Sequence, residues 1–161
     1  MSKNLRDLLK EETKISSKLA KAELSKDEYI FYLKTMESLH EELEPFIGAF
    51  RGFESMNLDP TKRCRLGLVR KDIEILGAQT NTSEEKNFDL SKLNSPLDFE
   101  SAVGWLYVLE GSTMGGGFLA PRLSHFKNDN DEVATNYFLA YGKDTPIMWK
   151  EYVEFLDVVN E

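Results

Sequence analysis

The stretch Gly104–Leu123, GWLYVLEGSTMGGGFLAPRL, limits the fold of this chain more tightly than any other. An apolar helical run with Trp105, Leu106, Val108 and Leu109 passes directly into Gly111-Ser112-Thr113 and then Gly115-Gly116-Gly117. A glycine inside a helix costs about 1 kcal/mol against alanine. Four within seven residues therefore need a structural reason. The backbone bends there, or something approaches it closely. A phosphate-binding loop is excluded, because no Gly-Lys-Ser/Thr follows and GxGxxG does not occur. A flat ligand against an opened helix satisfies the pattern, and so does a tight crossing of two helices through small residues.

The flanking sequence reads as helix throughout. Leu5–Leu19 carries Leu5, Leu8, Leu9 and Leu19 near one face. Ser25-Lys-Asp-Glu28 is a capping box that opens a second helix, with Tyr29, Ile30, Leu33, Met36, Leu39 or His40, and Leu43 as its apolar stripe and Pro45 as its expected limit. Asp59-Pro60 supplies a cap and a first-turn proline, and Gly77 closes a third helix bearing Leu66, Leu68, Val69, Ile73 and Leu76. Residues 78–94 read as a polar linker. Ser95-Pro96 repeats the cap-plus-proline device ahead of the glycine-rich helix. A loop at Asp129–Asp131 precedes a short helix to Tyr141-Gly142, and Thr145-Pro146 opens the last helix, with Trp149, Tyr152, Val153, Leu156 and Val159 expected on its buried side. No strand or repeat is evident. The expected class is all-α, one domain over residues 1–161.

Length and charge narrow the function. A chain of 161 residues suits one domain with a substantial core. No apolar run approaches a membrane span, and the polar start MSKNLRDLLKEE does not resemble a signal peptide, so a soluble cytoplasmic protein is expected. Cys64 is the single cysteine, which excludes a disulfide framework and a CxxC metal site. The net charge of −8 argues against nucleic acid as a partner. The two histidines do not pair at metal-ligand spacing: His40 reads as a half-buried packing residue and His125 as solvent-facing. No G-x-S-x-G elbow is present.

YVLEGSTMGG resembles the distal-helix signature of bacterial, biliverdin-producing haem oxygenases of the type found beside bacteriophytochromes. LKEETK, LSKDEYIFYL, DPTKRCRLGLVRKDIEILG and LAYGKDTPIMWKEYVEFL resemble further family segments in the same order, so the likeness covers most of the chain. The resemblance implies a helical domain holding haem between a first, proximal helix and a kinked distal helix. It implies oxidative cleavage of haem with dioxygen and electrons from a reductase or ferredoxin-like donor, giving biliverdin, carbon monoxide and ferrous iron. A phytochrome would be a possible biliverdin acceptor.

Carried onto this sequence, the resemblance assigns Gly111, Gly115 and Gly116 the close, side-chain-free approach to the haem face. Ser112 receives a hydrogen bond in the distal water network, or else the back-bonding of a kink hydroxyl. Lys10 becomes a propionate partner or a solvated lysine, and Tyr107 a distal hydrogen-bonding group or a core residue. Gly117 stands where relatives carry arginine, with Arg122 as a weak substitute. Gly116→Leu is expected to abolish haem binding or turnover in a folded protein. The position of the axial histidine falls on Ser17, a poor iron ligand. About a dozen residues that separate this position from the second helix in relatives are missing as well. Either the ligand and its turn are lost, or an interior segment after Ser16 is absent from this chain.

Overall fold

The computed structural model describes residues 17–81, 88–92 and 97–159. Seven α-helices are named among these residues: α1 (Lys26–Gly48), α2 (Gly52–Ser55), α3 (Leu66–Ile75), α4 (Phe99–Thr113), α5 (Gly116–Arg122), α6 (Asn136–Leu139) and α7 (Thr145–Val159). Short 3-10 turns occupy Pro60–Arg63, Leu90–Lys92 and Gly142–Asp144. The described residues form no strand beyond one isolated bridge between Lys127 and Val133. The all-α expectation holds. None of the described helices is long and apolar enough to cross a membrane.

Local chemistry sets most of the boundaries. The Ser25 hydroxyl accepts from the Glu28 N–H while the Glu28 carboxylate accepts from the Ser25 N–H, so the capping box forms as read. Pro45 does not end α1, which continues to Gly48. Asp59 caps a 3-10 turn and not a long helix; the chain breaks at Cys64-Arg65 and α3 starts at Leu66. Gly77, at φ 73°, ends α3 with Gly77 N–H to Glu74 O (2.9 Å) and Ala78 N–H to Ile73 O (3.1 Å). This is the paired closure that a left-handed glycine permits. The cap of α4 is Asp98, whose carboxylate accepts from Ser101 N–H at 2.9 Å. Ser95-Pro96 lies outside the described residues, as do Lys10 and most of the expected first helix, of which 17–21 is helical.

Two apolar cores share α1, a helix of 23 residues and about 35 Å. Its N-terminal half packs Tyr29 and Leu33 with Val69, Ile73, Leu123 and Phe138. Its C-terminal half packs Leu43 and Ile47 with Phe53, Leu106, Tyr152 and Phe155. Helix α4 belongs to the second core and α5 to the first, so the glycine cluster sits where the chain passes from one to the other. The segment read as a polar linker contributes Leu90, which is buried, and Phe88, whose ring meets Trp105 at 6.0 Å. On α7 the buried residues are Tyr152 and Phe155, and Val153 is exposed. Phe155 takes Val153's expected place in the core, while Trp149, Leu156 and Val159 are half-buried against it.

Candidate functional site

The glycines of the α4–α5 junction do different jobs. A Cβ on Gly116 would lie 1.8 Å from the Phe138 carbonyl oxygen, so α6 backbone fills the space a side chain would need. Gly116 is a packing glycine, which corrects the expectation that Gly116→Leu leaves a folded protein. Gly111 borders the Trp149 ring at 3.9 Å. Gly104, Gly115 and Gly117 have nothing within 4 Å of the Cβ position.

Around these open glycines the helix shows an apolar face. Tyr107, Val108, Met114 and Phe118 are 51%, 56%, 50% and 57% exposed. With Gly104, Gly111 and Gly115 they recur at helical spacing, so they share one side of α4–α5. Tyr107 is therefore not a core residue; its ring leans on Trp149 (5.8 Å between centroids) and Tyr152 (6.5 Å). Arg122 lies over the Phe118 ring at 3.4 Å, a cation at one end of the face. An exposed apolar surface of this kind marks a binding site more often than an ordinary monomer surface. Beside it, a groove of about 260 Å³ runs between the junction and the start of α7, lined by Met114, Gly117, Leu139 and Pro146.

A polar network holds this face from behind, with Arg63, Arg65 and Glu110 buried and Ser112 itself exposed. Ser112 donates to Leu109 O at 2.6 Å, the back-bonding alternative, and its oxygen accepts from Arg65 Nη2 at 3.1 Å. Arg65 also donates to Leu109 O (2.6 Å) and lies 5.0 Å over the Tyr137 ring. One residue before Gly111, the buried Glu110 pairs with Arg63 Nη1 and accepts from the Tyr141 hydroxyl at 2.6 Å. Arg63 further donates to Met148 O (3.0 Å) and Glu151 (3.3 Å), which ties α4 to α7. Burial and the Glu110 charge keep the Tyr141 phenol protonated. Arg63, Arg65 and Glu110 were not singled out in the sequence. Two arginines flanking a lone cysteine in an otherwise leucine-rich segment were the available signal.

His40 is fully buried, not half-buried. Its Nδ1–H donates to Glu44 (2.8 Å), and Nε2 accepts from the Tyr137 hydroxyl (3.3 Å). The same Glu44 oxygen accepts from the Arg65 and Leu66 N–H groups at 2.6 and 2.9 Å, capping α3 from another helix. Burial lowers the His40 pKa, although the Glu44 bond and charge oppose this. Glu44 is raised by burial but brought below its usual value overall by His40 and the two N–H donors. Both groups give the same sign. As pH falls through about 6.5, the unfolded chain protonates its histidine while folded His40 resists, and stability is lost. The urea midpoint is expected to fall between about pH 7.5 and about pH 5.5, and His40→Gln to flatten that slope. An unchanged slope in the variant would contradict the assignment.

The remaining expected residues are not gathered on the face. Ser17 is exposed in the helical segment 17–21, and Lys10 lies outside the described residues. His125 is exposed, its ring against Phe126 at 4.1 Å. Among the described residues no group of three or more His, Cys, Asp or Glu side chains could hold a metal ion.

No curated protein and no solved structure matches the chain. One family model, described as Heme oxygenase, matches residues 8–161. A match over nearly the whole sequence, on a helical chain whose glycine-interrupted helix presents an open apolar face, means that this protein belongs to the heme oxygenase family.

Proposed function

We propose that haem is the ligand of the α4–α5 face and that binding is the capacity this chain's own residues support best. The observation that carries the reading is the half-exposed apolar stripe of Tyr107, Val108, Met114 and Phe118, interrupted by glycines with no neighbour at the Cβ position. A planar macrocycle laid there covers apolar surface, each Å² being worth about 25 cal/mol, and meets main chain at Gly104 and Gly115, with the Trp149 ring beside Gly111. The face fits the porphyrin. The axial ligand set does not fit its iron: His40 is committed to Glu44 and Tyr137, and Ser17 offers a hydroxyl. Lys10 remains a candidate propionate partner.

A second reading is full turnover to biliverdin, carbon monoxide and ferrous iron, with dioxygen and a reductase or ferredoxin-like donor, and with a phytochrome as a candidate acceptor. It is favoured by the open side of the helix, where Gly104 and Gly115 put no acid or base beside the macrocycle. Such a pocket limits competing reactions of the bound cofactor.

An absorption spectrum separates the readings. Purified protein mixed with haemin is expected to give a sharp Soret band that persists under ascorbate and air. Conversion to a biliverdin band supports turnover, and no Soret band overturns haem as the ligand. An intact mass above the 18.5 kDa of this sequence, with the added mass mapped by peptide sequencing to the stretch after Ser16, would identify an interior segment there and favour turnover.

A further inference from the structure

The sequence contains two histidines, and neither serves the open face. His40 has both ring nitrogens bonded within the core. His125 is exposed in the turn that follows α5, its ring against Phe126 at 4.1 Å, and belongs to the same chain segment as Gly115 and not to one facing it. What the face presents is ring, aliphatic and thioether surface together with glycine main chain.

We propose that this site recognises a tetrapyrrole through its flat macrocycle and not through its iron, so that its ligand class is planar tetrapyrroles with or without a metal. The inference rests on the reading of the α4–α5 face given above. An iron–imidazole bond is the interaction that lets a haem site prefer haem over the metal-free ring. Without that bond, the contacts that remain are burial of apolar area and stacking on Tyr107 and Phe118. Any charge pairing with the propionates is likewise common to both ligands. Discrimination is a difference of affinities, and among the described residues no imidazole contributes to it; the Tyr107 phenol and the Met114 thioether are the iron-ligating types the face does carry.

The test titrates the full chain with haemin and, separately, with metal-free protoporphyrin IX, followed by absorbance and by quenching of the two tryptophans. Trp149 borders Gly111 and reports on the face. The expected dissociation constants agree within about threefold. Haemin binding more than about 30-fold tighter overturns metal-independence while leaving haem binding in place. Binding of neither overturns both this inference and the reading beneath it. If Tyr107→Phe, Met114→Leu or His125→Ala brings haemin down to the level of the metal-free ring, the iron is ligated and the inference fails. Gly115→Phe adds a ring where a Cβ meets open space, and is expected to weaken both ligands at least about tenfold at an unchanged urea midpoint. Unchanged affinity in that variant would move the site elsewhere and overturn the proposal.

Discussion

Gly116→Ala is expected to lower the unfolding free energy by about 3 kcal/mol, and Gly117→Ala to leave it unchanged or raise it by up to about 1 kcal/mol. The two glycines are adjacent on α5 and identical in the sequence pattern, so the contrast isolates what each one meets. At Gly116 the added methyl would sit 1.8 Å from the Phe138 carbonyl oxygen and 2.8 Å from its carbon. Those atoms are main chain and cannot rotate away. Helix α6 is itself fixed, because the Asp72 carboxylate accepts from the Asn136 and Tyr137 N–H groups at 2.9 and 2.8 Å. Relief therefore requires separating α5 from α6 and opening the core of Leu123, Tyr137 and Phe138. At Gly117 the methyl enters open space, and alanine's better helix propensity is the remaining term. Urea denaturation of the two variants checks this. Equal effects would mean that the glycine run is tuned by backbone freedom alone, and the α5–α6 contact would lose its standing.

That contrast also explains what the sequence could and could not disclose. Helix starts were legible where a side chain acts within four residues, as at Ser25–Glu28, and helix ends where a left-handed glycine is needed, as at Gly77. Pro45 misled because an α-helix tolerates proline late in its run when the lost N–H bond is a single one and Ile47 remains buried beyond it. The glycine cluster was visible as a break, yet the partition of Gly116 to packing and Gly115 to the open side depends on α6, which is twenty residues away in sequence. Arg63, Arg65 and Glu110 were invisible for the same reason. Charged residues are rarely buried unless paired, and a single sequence shows the residues without the pairings. Tyr107, by contrast, reads as either a distal hydrogen-bonding group or a core residue, and it is exposed, with Phe118, because no described element covers that side of α4–α5.

Arg63 and Glu110 give the other large effect, and the two single variants are expected to differ in their pH dependence. Both side chains are almost wholly buried, at 2% and 1% exposure. Removing one member of such a pair costs about 3–5 kcal/mol, because the charge left behind is neither hydrated nor compensated. Arg63→Met strands the Glu110 carboxylate beside a single donor, the Tyr141 hydroxyl. A stranded carboxyl can take up a proton, so its folded pKa rises above the unfolded value. A group raised in this way stabilises below the unfolded pKa and loses that contribution as pH climbs through the folded one. The Arg63→Met deficit should accordingly shrink as pH falls from about 7 to about 5. Glu110→Ala strands a guanidinium, which has no accessible neutral form, with the half-exposed Glu151 as its nearest remaining acid at 3.3 Å. Its deficit should not shrink over the same interval. Arg63→Met combined with Glu110→Leu should recover most of the loss at every pH, since apolar side chains of similar volume need no compensation. Urea midpoints for the three variants at two pH values decide the matter. Parallel pH profiles for the single variants would mean that the pair is hydrated, and that α4 is held to α7 by packing of Tyr152 and Phe155 alone.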